Sequence, residues 1–153
     1  MAKTGDNSRT ALIDGLNALL ADHVALWFKT KHFHWHVTGP RFRELHLLFD
    51  EQAAQVQGQI DIVAERVRKL DAATLTSLGA VQKASRIADQ DEITLSPDEM
   101  VRELLADNTA LVEQLKALKE HADKAGDNAT DGLLDDWTDM AEERVWFLKS
   151  ILA

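Results

Sequence analysis

Apolar residues return every three or four positions through most of this 153-residue chain, the period of a helix that is buried on one side. In the first segment Leu12, Leu16, Leu19, Leu20, Leu26 and Trp27 keep this spacing, and Ser8 is placed to cap a helix that runs to about Val37. Gly39-Pro40 interrupts the pattern. A second helix, over roughly residues 41–70, carries Phe42, Leu45, Phe49, Ala53, Val56, Ile60, Val63, Val67 and Leu70 in one stripe. Ser96-Pro97-Asp98-Glu99 is a strong helix start, in which Ser96 caps, Pro97 takes the first helical position and Glu99 closes a capping box. That third helix continues through Met100, Leu104, Leu105, Leu111, Leu115 and Leu118 and ends near Lys124, before Gly126. Thr130 is the expected cap of a fourth, with Leu133, Leu134, Trp137, Met140, Leu148 and Ile151 on its inner side.

The connection over residues 71–95 is too long for a bare loop in a compact bundle, and Leu75, Leu78, Val81, Ala84 and Ile87 predict a short helix within it. A connection of this length lets the second and third helices run parallel. The pattern as a whole predicts an all-α fold. It is a four-helix bundle with a long crossover between the second and third helices, and the crossover carries a short extra helix. The chain reads as one domain over residues 1–153, with a short, disordered or loosely docked extension at residues 1–7.

Composition narrows the function classes. Cysteine is absent, so disulfides and thiolate zinc sites play no part, which fits a reducing cytosol. No stretch reads as a signal peptide or as a membrane span. The net charge of −9 argues against a strongly nucleic-acid-binding surface and fits a particle that attracts cations.

The chemistry is concentrated between His34 and Glu65. In the second helix His46 and Asp50 are four apart, as are Asp61 and Glu65, and each pair shares a helical face. Asp50 and Asp61 are eleven apart, close to three whole turns, so all four form one stripe. This stripe is offset from the apolar one by roughly 100°. The midpoints of the two pairs are fifteen residues apart, or roughly 22 Å at the helical rise. Metal–ligand bonds of about 2.0–2.2 Å cannot span that distance, so one site cannot use both pairs of one helix. Two copies of the helix, antiparallel about a twofold near Val56, would bring each pair beside the other pair of its neighbour. Each resulting site would hold two histidines, His34 and His46, and three carboxylates. This mixed set suits iron(II), zinc or manganese better than copper(I) or calcium. His23, His32 and His36 read instead as packing, surface or helix-end histidines.

The pattern H-x11-H-x3-D-x10-D-x3-E, with Trp35 after the first histidine, Gly-Pro in the turn and Trp146-Phe147-Leu148 in the last helix, resembles the Dps family, the dodecameric miniferritins. The resemblance implies a ferritin-like fold with the short crossover helix at the subunit dimer contact. It also implies ferroxidase ligands at His34, His46 and Asp50, completed by Asp61 and Glu65 of the partner chain, with Asp50 bridging. The expected activity is oxidation of iron(II) to iron(III), with hydrogen peroxide preferred over oxygen, and storage in a hollow homododecamer of 23 symmetry in the cytoplasm. Trp35 would either intercept stray oxidising equivalents or simply pack. The family's acidic threefold pores, which admit iron, map onto Asp127, Asp131 and Asp135, although Gly132 stands where an Asp is common.

Two other readings compete. Some Dps relatives protect DNA in the nucleoid through a lysine-rich tail. Here the start offers only Lys3 and Arg9 around Asp6, and Ala153 closely follows the last helix, so weak or absent DNA binding is expected. The third reading is a plain helical bundle without metal chemistry.

Overall fold

A computed structural model describes residues 4–153, with side chains from Asn7 onward. Its helices are α1 (Thr4–His36), α2 (Phe42–Lys69), the short α3 (Leu78–Ala84), α4 (Pro97–Ala125) and α5 (Asn128–Ile151). Among the described residues there is no strand. Short turns join α1 to α2 and α4 to α5, and each pair packs closely; α1 also packs along α4. The two hairpins therefore share one core, as the apolar stripes predict. Leu16, Leu26, Phe33, Phe49, Val63, Leu104, Leu115, Trp137 and Leu148 are all fully enclosed in it. Each such side chain contributes about 1.5–3 kcal/mol, whereas a helix cap contributes about 1 kcal/mol, so the stripes decide the fold and the caps trim its ends. Gly15 leaves room for the Leu118 side chain of α4, with which a Cβ there would collide.

The crossover climbs α1. Arg9 donates to the Leu70 carbonyl, Asn17 to that of Ala73, and Lys29 to that of Ala88. Between them, buried Asp22 accepts from the Arg86 backbone and guanidinium. A segment leaving the end of α2 is thus laid along α1 before α4 starts. There the capping box is formed as predicted, with Ser96 and Glu99 each accepting from the other's backbone N–H. Gly126 ends α4 in the left-handed region at φ 69°, and Gly39 turns the α1–α2 joint at φ 105°.

Several expectations are corrected. Ser8 does not cap α1, which starts at Thr4; no proline interrupts the segment, so the helix runs on toward the N-terminus. Of the expected extension, residues 1–3 lie outside the described residues and 4–7 are helical. Thr130 is not the cap of α5. Gly126 leaves Asp127 at φ −94°, ψ 84°, and the Asp127 side chain accepts from the Thr130 N–H, so the helix restarts earlier than the apolar pattern suggests. Phe42 is 44 % exposed rather than part of the core. Finally, α1 is long and apolar enough over Asn7–His36 to pass for a membrane span by length and composition, against the sequence reading. Its apolar face is packed in the bundle.

Candidate metal centre at the joint of the first two helices

The tight Gly39-Pro40 turn folds α2 back on α1 so that His34, in the last turn of α1, lies against His46, one turn into α2. Their rings stack, with centroids 3.8 Å apart and planes at 14°. Phe42 sits one turn before His46 on the same face and extends the stack at 4.9 Å. The apolar residue that left the core thus braces a histidine. His34 Nδ1 lies 2.6 Å from the His46 carbonyl oxygen, and His46 Nδ1 lies 2.7 Å from the His34 carbonyl oxygen. A carbonyl oxygen only accepts, so each Nδ1 carries the proton and donates. Each Nε2 is left with its lone pair free, the tautomer a metal requires, fixed by a partner on the other ring nitrogen.

Asp50 joins this pair. One carboxylate oxygen is 3.8 Å from His34 Nε2 and 2.7 Å from the Lys31 ammonium. The Lys31 hydrogen bond is the main reason that the Asp50 carboxyl lies below its ordinary range, with the charge of Lys31 adding to it. Asp50 is therefore ionised, and Lys31 would compete with any metal for it. Sequence reasoning missed Lys31. The signal was available, since Lys31 is three residues before His34 and so on the same face.

Asp61 and Glu65 are exposed, farther along α2. Among the described residues, no three histidine, aspartate or glutamate side chains converge on a point that could hold a metal. Trp35 is 53 % exposed, in edge contact with Phe28 at 6.0 Å and near the Lys31 ammonium at 5.9 Å. At the start of α5, Asp127 is committed locally. Burial resists its charge, but bonds from Thr130 and the nearby Arg66 guanidinium hold it below the usual carboxylate range. Asp131 and Asp135 both pair with Lys119, whose ammonium is raised chiefly by Asp135.

A second polar cluster, unforeseen from the apolar pattern, occupies the middle of the bundle. Arg144 is 2 % exposed and donates to Asn108 Oδ1 and Gln55 Oε1, both at 2.7 Å. Gln52 donates to the Arg144 carbonyl. Burial lowers the Arg144 guanidinium to about 10. His23 is enclosed beside it, donating from Nδ1 to the Leu19 carbonyl and meeting the Gln59 amide through Nε2. Burial lowers its pKa below the ordinary value, so it is neutral.

Comparison with known proteins agrees with this architecture. The ferritin-like domain family matches residues 13–153. A DNA protection during starvation protein of Brevibacillus brevis is 36% identical over 137 residues, covering 90% of this chain and 91% of that protein. The structure of Dps from Thermosynechococcus elongatus superposes with a TM-score of 0.95 at 28% identity, covering 99% of this chain and 96% of that one. A Dps protein from Vibrio cholerae, described as a member of a broad superfamily of ferritin-like diiron-carboxylate proteins, gives 0.90 at 29% identity, covering 96% and 92%. The chain belongs to the ferritin-like family and, within it, to the Dps proteins.

Proposed function

We propose that this protein oxidises iron(II) and stores the product, and that its sites are shared between two chains. Each site would combine His34, His46 and Asp50 of one chain with Asp61 and Glu65 of a second. The observation that carries this reading is the histidine lock. Two imidazoles held by reciprocal Nδ1–H to carbonyl bonds present two free Nε2 atoms beside an ionised Asp50. The helical rise puts Asp61 and Glu65 roughly 22 Å away along the same helix, so a second copy must supply that half. The relatives' descriptions, as starvation-protection proteins and diiron-carboxylate proteins, support iron as the substrate.

The donor set favours iron(III) over iron(II) as charge builds, because carboxylates and imidazoles stabilise the harder ion. Hydrogen peroxide takes two electrons, one from each of two iron(II) ions, so no hydroxyl radical is released. Trp35, next to a ligand in sequence, would intercept a stray oxidising equivalent. The product would collect inside a hollow dodecamer with 23 symmetry, protecting the cytoplasm from oxidative damage. Asp131 and Asp135, whose side chains are more exposed than that of Asp127, would draw iron toward a threefold pore. DNA binding at physiological salt is expected to be weak, given the net charge of −9.

The test mixes two variants, His46→Ala with Asp50→Ala, and Asp61→Ala with Glu65→Ala. Alone, each lacks half of every site and oxidises iron poorly. Dissociated, mixed and reassembled, each mixed dimer regains one intact site, and peroxide-dependent iron oxidation returns. Mixed particles, verified by mass, that stay as inactive as their parents would overturn the shared site. Light scattering should report about 205 kDa for twelve chains of 17.1 kDa; a stable monomer would overturn both shell and site.

A further inference from the structure

Three aromatic rings on α1 form a ladder that leads away from the candidate metal centre. Trp35 directly follows His34 in the chain. Its ring meets Phe28 edge to face, with centroids 6.0 Å apart and planes at 84°. Phe28 meets Trp27 in the same way, at 6.1 Å and 71°. Both contacts have the geometry that aromatic pairs prefer. The two indoles are eight residues apart, a rise of about 12 Å along the helix, and the phenyl ring of Phe28 touches both. Phe28 is 58 % exposed, so the bundle core does not depend on its ring. The two ends of the ladder differ. Trp35 is half exposed, with the Lys31 ammonium 5.9 Å from its ring centre. Trp27 is partly buried against the core.

We propose that this ladder carries a one-electron oxidising equivalent from Trp35 to Trp27 and so keeps it away from the histidines of the centre. The proposal rests on the iron-oxidising reading for its oxidant, hydrogen peroxide. Peroxide takes two electrons and becomes two hydroxide ions, and a centre with two iron(II) ions supplies both. Lys31 holds Asp50, so some centres carry a single iron(II) when peroxide arrives. One electron then comes from that iron, which becomes iron(III). The second comes from Trp35, which becomes a radical cation. Trp27 gives an electron across Phe28 to Trp35, which returns to its closed-shell form. Trp27 then loses its indole N–H proton, and one of the two hydroxides takes it up as water. Charge sets the direction. A radical cation at Trp35 stands beside the Lys31 ammonium and next to a residue of the iron(III) centre, and like charges repel. Trp27 lies seven residues before His34, about 10 Å farther along the helix from that charge.

Mass mapping of oxidised tryptophan reads where the oxidising equivalent comes to rest, since tryptic cleavage at Lys29 and Lys31 separates Trp27 from Trp35. The assembled protein is loaded with iron(II) and treated with peroxide. In the parent chain, oxidation should fall on Trp27 as well as on Trp35. Phe28→Leu breaks the ladder at an exposed position. Iron should then be oxidised at the parent rate, while the ratio of Trp27 to Trp35 oxidation drops several-fold. Trp35→Phe removes the entry point, and Trp27 oxidation should fall to that of a peroxide-free control. A second arm replaces iron and peroxide with azide radicals from pulse radiolysis, which take single electrons from exposed indoles. The same shift in ratio should appear there with Phe28→Leu. An unchanged ratio in either arm, or undiminished Trp27 oxidation in Trp35→Phe, overturns the relay. If iron is not oxidised at all yet the azide arm shows the shift, the iron reading fails and the ladder stands.

Discussion

The α1–α2 joint and the middle of the bundle are built from related parts, histidine with polar side chains from neighbouring helices, yet they meet a cation differently. At the joint, His34 and His46 spend their Nδ1 protons on backbone carbonyls and keep both Nε2 lone pairs free beside an ionised Asp50. In the middle, all four long helices contribute to a layer of His23, Gln52, Gln55, Gln59, Asn108 and Arg144, in which the Gln55 and Asn108 oxygens already face a resident cation, Arg144. Arg144 has no carboxylate partner among the described residues; neutral amides share its charge. Ferritin-like bundles that hold a metal in the core do so with inward-facing carboxylates and histidines. Here that space is filled by a guanidinium. What separates a candidate metal centre from a structural polar layer is therefore free lone pairs and uncommitted negative charge, more than residue type.

The comparison can be broken most forcefully at Arg144. Arg144→Ala strands Asn108 and Gln55 and opens a cavity, and should cost about 3–5 kcal/mol in urea unfolding. Arg144→Met fills the space without a charge and should cost much less, because a buried charge replaced by an apolar residue of similar volume is often neutral. If both variants cost the same, the layer's stability does not depend on the volume that Arg144 fills.

At the joint, Lys31→Met removes the cation that competes for Asp50. The Asp50 carboxyl should rise toward its ordinary range, since the Lys31 hydrogen bond is the largest cause of its shift. Divalent-metal binding to that half-site should tighten by roughly ten-fold, about 1.4 kcal/mol. Carboxyl titration by NMR and metal titration read the two effects separately. Unchanged metal affinity would show that Lys31 is a bystander.

The smallest effect is a pH dependence confined to the middle layer. His23 has a folded pKa below the unfolded value of 6.5. Between the two values the unfolded chain binds more protons, so stability rises with pH there. Its contribution is complete above pH 6.5 and is lost as pH falls toward the lowered folded value. His23→Gln should flatten that part of the unfolding profile relative to the parent chain. A difference between the two proteins that stays constant from about pH 5 to 7 would place the neutral histidine elsewhere.

The elements and the half-site were legible because both are periodic. Leu45, Phe49, Val56, Val63 and Val67 mark the buried face of α2, and His46 and Asp50 fall on the same helical spacing. Ser96-Pro97-Asp98-Glu99 announced its helix because a capping box is a local hydrogen-bond pattern. Local patterning was ambiguous where two polar residues could each start a helix. Asp127 took the cap from Thr130 because Gly126 had already turned the chain. What only the tertiary structure decided is which side chains from different helices face each other. No spacing announced that Gln55, Asn108 and Arg144 meet, since each is polar and each reads as a surface residue on its own helix. Nor could spacing say that Phe42 would leave the core to stack on His46, or that Lys31 would reach Asp50. Helical periodicity assigns a residue to a face. Hydrogen-bond partners, tautomers and competition for a carboxylate depend on what that face is packed against, and that is set only when the bundle closes.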